Sequence, residues 1–172
     1  MTELEQLRDA FTSAAREILA EGMRKIEHCL AQLSDEQLWW RPRPEMNSIA
    51  NLMLHLSGNL RQWIVSAIGG APGTRHRPSE FSARSGPAAS VLVSNLRAAV
   101  QDAVRVIRSV PHHRLTEAVT IQGNETTVLG AIFHVVEHFS GHTYQIILMT
   151  KRATHEDLGF YGYLEKEGQE EK

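Results

Sequence analysis

The stretch VLGAIFHVVEHFSGHTYQIILMT, residues 128–150, decides how the chain is read. A seam runs through it as Val128, Ala131, Val135, His138, His142, Gln145 and Met149. Alternating steps of three and four are the mark of a helix that buries one stripe in a bundle. The same pattern predicts that His138 and His142 occupy core positions. Burying two neutral imidazoles costs several kcal/mol unless each finds partners. Residues four apart stand roughly 6 Å from each other on one face, so their ring nitrogens can converge on one ion. His134 cannot share an ion with His142, because two helical turns separate them by about 12 Å. It can pair with His138 or sit behind the ligands. HVVEH also fits H-x-x-E-H, a metallopeptidase pattern. That pattern needs a further carboxylate far downstream, and too little chain follows His138, so the match is read as accidental.

Three more helices precede this one. Leu4, Leu7, Phe11, Ala14, Ile18, Ile26, Leu30 and Leu33 predict a long amphipathic helix over 3–33. Pro42 and Pro44 forbid its continuation. Asn47 or Ser48 can cap a second helix with Ile49, Leu52, Met53, Leu56, Leu60, Trp63 and Ala67 on its face, closed by Gly69-Gly70. Residues 71–86 show no period. Pro87 opens a third helix through Val91, Leu92, Leu96, Val100, Val104 and Ile107, and Pro111 closes it. AVTIQ at 118–122 and the turn signal Gly123-Asn124 predict a small hairpin before the fourth helix, whose cap is Thr126 or Thr127.

Four long helices predict an all-α four-helix bundle. The connection 70–86 is long enough to cross the whole bundle, so helices two and three can run parallel, up-down-down-up. One domain is expected over 1–164, followed by a charged tail at 165–172.

A third metal ligand must come from another helix, and His55 in NLMLHLSGN is the candidate. Three histidines with an open position suit a catalytic zinc-like site, and imidazoles also suit nickel, iron and copper. A second reading stands beside this one: core histidines bonded to backbone carbonyls. Gln145, one turn beyond His142, can orient a ligand from behind.

A formal charge of −2 provides no basic field for nucleic acid. No apolar run of ~20 residues exists to span a membrane. MTELEQLRDA lacks the features of a signal peptide. With Cys29 as the single cysteine, a reducing cytoplasmic location is expected.

NSIANLMLHLSGNLRQW followed by HVVEHFSGHTYQI resembles the DinB superfamily of metal-binding helical bundles. There, one histidine on the second helix joins an H-x-x-x-H pair on the fourth, often continued as H-R-G-Q. The resemblance extends from the first helix to about residue 152. It is nearest to a branch carrying GNLRQW and a D-R-x-x-E-F loop, which here reads His76-Arg77-Pro78-Ser79-Glu80-Phe81. Thr143 and Tyr144 depart from the common Arg and Gly, His76 departs from Asp, and Gln145 is retained.

The resemblance implies an up-down-down-up bundle, a divalent metal (zinc or nickel) on His55, His138 and His142, and a homodimer. It also implies a function, because several such proteins are transferases or isomerases that use bacillithiol, mycothiol or glutathione. A thiol at the open position would lose its proton and attack an electrophile. A hydrolase would instead activate water, with Glu80 or Glu137 as base, although Glu137 is expected to point away from the seam. A non-catalytic metal-binding stress-response module is the third possibility. Arg77 and Glu80 are the catalytic candidates, and the 70–86 loop is expected to border the pocket. Arg41, Arg61 and Arg77 can form an anion clamp. Trp39 and Trp40 are expected to pack a loop onto the bundle end. His28, His112, His113 and His155 are expected to be solvated.

Overall fold

The computed structural model describes residues 1–160. The tail expected at 165–172 lies outside the described residues.

Helix α1 spans Glu3–Leu30, and Thr2 and Glu5 form a capping box at its start. A short α2, Asp35–Trp39, follows from the Ser34 cap. Helix α3, Ile49–Leu60, begins at Ser48, whose hydroxyl accepts from the Asn51 N–H. It continues as a π-helical turn over Arg61–Ser66. The crossover, expected to lack structure, carries helix α4 at Arg77–Ser82. Helix α5 covers Ala89–Ser109. Strands β1, Ala118–Ile121, and β2, Asn124–Thr127, pair antiparallel. Their turn is Gln122-Gly123, one residue before the expected position, with positive φ at both residues (54° and 77°), as a tight hairpin requires. Helix α6, Val128–Thr154, starts at the Thr127 cap and ends at His155 in the left-handed conformation.

Contacts fix the helix directions. Gly22 of α1 meets Phe139 and Thr143 of α6, and His28 bonds the Leu158 carbonyl just beyond α6, so these helices run parallel. Arg97 of α5 bonds Glu27, while Arg8 reaches Val110, so α5 opposes α1. Arg61 pairs with Asp102 and Gly69 abuts Val106, so the α3 rod and α5 are parallel. His55 meets His138, and Trp63 meets His134, so α3 and α6 are antiparallel. The result is the up-down-down-up bundle. Its core is built from Leu19, Ile26, Leu56, Leu60, Leu96, Ile107, Val135 and Phe139, all essentially inaccessible to solvent. No helix among the described residues is long and apolar enough to cross a membrane.

Two expected stripes are corrected. The buried line of α1 is Thr12, Ala15, Leu19, Gly22, Met23, Ile26, Cys29 and Leu30, and Leu4, Leu7 and Ile18 are exposed. A Cβ on Gly22 would stand 2.8 Å from the Phe139 ring, so small residues let α1 and α6 approach closely. In the α3 rod, Ile64 and Ile68 are buried and Ala67 is exposed. The π turn, with its i→i+5 bonding, moves the seam from the fourth to the fifth residue after Trp63. Trp39 packs against the core and donates to the Pro87 carbonyl, as expected of a loop anchor, but Trp40 is exposed. His28, expected to be solvated, bonds the Leu158 carbonyl at 2.9 Å.

Candidate metal centre

His55 lies in the middle of α3 and faces α6 because its neighbours Met53 and Leu56 turn into the core. His138 and His142 approach it from α6. One ring nitrogen from each of the three lies within 4.8 Å of the others. His55 Nε2 stands 3.0 Å from His138 Nε2. The His138 and His142 rings are 4.5 Å apart, and His55 and His142 5.3 Å, centre to centre.

Their burial refines the sequence reading. His55 is buried, whereas His138 and His142 are half-buried and not full core positions. The buried line of α6 is Val128, Ala131, Ile132, Val135, Phe139, Thr143, Ile146 and Thr150. The two histidines stand on the flank of that line turned toward α3, where the bundle opens.

Each end of the trio is held from behind. Glu80 of α4 is buried, and its Oε2 lies 2.9 Å from His55 Nδ1. Arg75 grips the same carboxylate, Nε to Oε1 at 2.6 Å and Nη2 to Oε2 at 2.8 Å. Arg75 Nη2 also stands 3.1 Å from His55 Nδ1, but two donors cannot satisfy each other. Glu80 has only acceptor oxygens, so we assign the ring hydrogen to Nδ1, and it is donated to Glu80. On the other side, His142 Nδ1 lies 3.0 Å from Gln145 Oε1, and the same reasoning frees its Nε2. Gly58 makes room for the carboxylate: a Cβ there would collide with Glu80 Oε1 and Arg75. The Asn51 amide donates to the Glu80 carbonyl at 2.7 Å and fixes α4 against α3. Phe81 packs on the His55 ring at 4.7 Å, with Arg77 above it.

The electrostatics favour the neutral forms of His138 and His142. Burial, then the nearby His142 and His55, push the His138 pKa down to about 3. Burial also lowers that of His142, against an opposing hydrogen bond from Gln145. Burial alone would raise the Glu80 pKa, but hydrogen bonds from Arg75 and then His55 outweigh it and hold the carboxyl below its usual range. Glu80 is therefore an anion, and its partner Arg75 balances it.

This donor set fits a divalent cation. His138 Nδ1 is buried with no partner, and its Nε2 faces the bare Nε2 of His55 at 3.0 Å, two ring nitrogens directed at one point that a cation can take together. Three convergent imidazoles, two of them oriented by an acceptor on the far nitrogen, have the construction of ligating histidines with supporting partners. Beside them a cleft of about 720 Å³ is lined by Asn59, Trp63, Arg75, Arg77, Gln122, Asn124, Glu125, Thr126 and His134, together with His55 and His138.

The other expected residues fall into place around this geometry. His134 lies outside the trio and stacks on Trp63 at 4.2 Å. Glu80 stands behind His55, not on the open side, with both oxygens engaged. Glu137 is exposed. The three-arginine clamp is not assembled: Arg61 pairs with Asp102, and Arg41 binds Asn51 and backbone carbonyls. Arg77 alone of the three lines the histidine cleft. The crossover does border the site, through Arg75, Arg77, Glu80 and Phe81. Arg75 and Gly58 were missed. A glycine one turn from His55 was the available signal for Gly58, and Arg75 had none, because its importance comes from a pairing in space.

Known structures share the fold. A conserved protein from Enterococcus faecalis aligns with a TM-score of 0.70 at 16% identity, over 84% of this chain and 98% of that one. A DinB-like protein from Bacillus cereus ATCC 10987 aligns with a TM-score of 0.62 at 15% identity, over 77% and 85%. No curated protein matches the sequence. A family pattern matches residues 6–161, and on that match the chain belongs to the DinB-like family DUF1572, described as a protein of unknown function.

Proposed function

We propose that the protein is a divalent-metal-dependent transferase acting with a low-molecular-weight thiol, with His55, His138 and His142 as the metal ligands and zinc or nickel as the metal. The observation that carries this reading is the open side of the histidine trio. It gives onto a roomy polar cleft, and no fourth His, Cys, Asp or Glu joins the group among the described residues. A structural site normally closes its fourth position with a side chain. A bound divalent cation supplies Lewis acidity, which lowers the pKa of a thiol at that open position.

The chain's own groups do the rest. Glu80 and Gln145 hold two imidazoles in the ligating tautomer. Arg77, fixed over Phe81 at the cleft wall, attracts the carboxylate of a thiol cofactor. The sulfur bonds to an electrophilic carbon, the carbon's bond to its leaving group breaks, and the leaving group takes that electron pair. The thiol proton passes to solvent through the open cleft. Cys29 takes no part: it is fully buried in the core, and burial raises its thiol pKa.

Glu125 gives a second reading some support. It lines the same cleft and is not tied to Arg75 as Glu80 is, so it suits a base for water attack in a hydrolase. Metal analysis of untreated protein, followed by thermal unfolding of the zinc- and nickel-loaded forms with glutathione, bacillithiol and mycothiol, separates the readings. Stabilisation by one thiol, growing with its concentration by mass action, supports the transferase. No shift with any thiol at millimolar concentration favours the hydrolase or a non-catalytic module.

A further inference from the structure

Asn59 stands one turn beyond His55 on α3, and Trp63 one turn beyond Asn59. Because α3 and α6 are antiparallel, His55 meets His138 and His142 while Trp63, two turns on, meets His134. The metal-ligand candidates occupy one end, and the stacked pair Trp63 and His134 the other. Asn59 lies between them in the wall of the cleft.

Its environment is unusual for an asparagine. It is only 4% exposed, yet its carboxamide has no hydrogen-bond partner among the described residues. Its carboxamide atoms are not sealed from solvent, so the small exposed part of the side chain opens to the cleft, and a polar group held there with no protein partner is available to a ligand. The nearby Asn51, by contrast, has its carboxamide fully paired: the oxygen accepts from the Ser48 N–H and the NH2 donates to the Glu80 and Ala83 carbonyls. Trp63, next along the same face, also buries an indole N–H with no partner. A carboxamide open to the cleft and a buried indole N–H without a partner thus follow one another along the wall, starting a single turn from His55. Packing does not require a carboxamide at 59, since Leu56 and Leu60 carry the core contact.

We propose that Asn59 is the specificity-determining residue of the cleft and that it recognises an amide group of the ligand. A carboxamide offers one acceptor oxygen and an NH2 donor. Its natural complement is another amide, whose N–H and C=O it can bond together. This rests on the reading of the cleft as the ligand site of the metal centre. It narrows the thiol to one with an amide a few bonds from sulfur, as in cysteinyl peptides and conjugates.

The test compares amides with isosteric esters, which keep the carbonyl and lose the N–H. Binding to zinc-loaded protein is measured by calorimetry for N-acetylcysteamine against 2-mercaptoethyl acetate. The same comparison is made with a carboxylate head group, N-acetylglycine against acetoxyacetate. The wild type is expected to prefer each amide about tenfold, the effect of one hydrogen bond of ordinary strength. In Asn59→Leu, and in Asn59→Ala as a smaller replacement, the preference should vanish while zinc stays near one per chain. If the thiol pair binds no more tightly than the carboxylate pair, the thiol reading fails, and the role of Asn59 stands on the carboxylate pair. A wild type with no amide preference in either pair, including no binding at all, overturns the proposal. So does a preference that survives both substitutions.

Discussion

Glu80 Oε2 lies 2.9 Å from His55 Nδ1, and the carboxylate reaches that position from a helix formed within the crossover. The candidate centre is thus assembled from α3, α6 and the connection between α3 and α5. Removing the acceptor without removing the ligand isolates this support. Glu80→Gln keeps the size and loses the charge. Metal affinity should fall roughly 10–100-fold, as is typical when the partner of a ligating histidine is lost, and His55→Ala should cost more. Competition with a chelator at graded concentrations measures both. Equal affinity in Glu80→Gln and the wild type would mean that Glu80 only anchors α4.

Gly58 should behave as part of the same device. A methyl there collides with Glu80 Oε1 and Arg75, both held at the site. In an exposed helix interior, glycine to alanine stabilises by up to about 1 kcal/mol. Here Gly58→Ala should give no such gain and should weaken metal binding in parallel with Glu80→Gln. Chelator competition and urea unfolding on the same samples decide this. A variant that is more stable with unchanged metal affinity would show that the carboxylate is free to move.

Acid should weaken the metal-free protein in a defined window. Unfolded His138 titrates near 6.5, and in the fold burial and its histidine neighbours hold it at about 3. Between these values the unfolded chain binds more protons, so folding stability is complete above pH 6.5 and declines as pH falls toward 3. His142 acts in the same direction. The lowered Glu80 pKa adds its own loss only below about 4.5. Urea midpoints of metal-free protein at pH 7.5, 6.5, 5.5 and 4.5 should therefore fall with acidity, and less steeply in His138→Gln. Identical slopes would assign the acid sensitivity elsewhere.

The histidines were legible because helical spacing carries over directly into space. His138 and His142 share a face by being four apart, and His55 sits within an apolar helix that has to face inward. The crossover was not legible in the same way: Arg75, Glu80 and Gly58 meet only once α4 folds back on α3, and their sequence spacing has no period. The π turn also leaves no apolar signature, so Ile68 took the core place expected of Ala67. On α1 the periodicity of large residues followed the wrong stripe. Thr12, Ala15 and Gly22 are buried because close helix contact favours small side chains, while Leu4, Leu7 and Ile18 remain outside.

That outer stripe predicts self-association. Leu7 is 65% exposed and Phe133 64%, and Leu4, Ile18, Leu129, Tyr144 and Leu148 are exposed with them. They lie along α1 and α6, which run side by side, and Ile18 and Tyr144 border one hollow. Apolar surface of this extent usually marks an interface. A homodimer through this face is expected at tens of micromolar by sedimentation velocity, and Phe133→Glu should give a folded monomer. A monomeric wild type would leave the stripe without this role.

The last prediction separates His134 from its neighbours. Only His55, His138 and His142 bring nitrogens within 4.8 Å of one another. The His134 ring is 5.7 Å from that of His138 and is stacked on Trp63. Alanine at 55, 138 or 142 should remove one of three ligands and strip most of the metal under mild chelation. His134→Ala should hold close to one metal per chain under the same conditions. It should instead alter ligand binding in the cleft, because it removes the ring that covers Trp63. A spectroscopic check is available: cobalt substituted into the site should show an unchanged visible spectrum in His134→Ala and an altered one in His142→Ala. If His134→Ala empties the site as readily as His142→Ala, the ligating pair on α6 is 134 and 138. If all four variants keep their metal, the histidines serve packing alone, and the transferase reading loses its support.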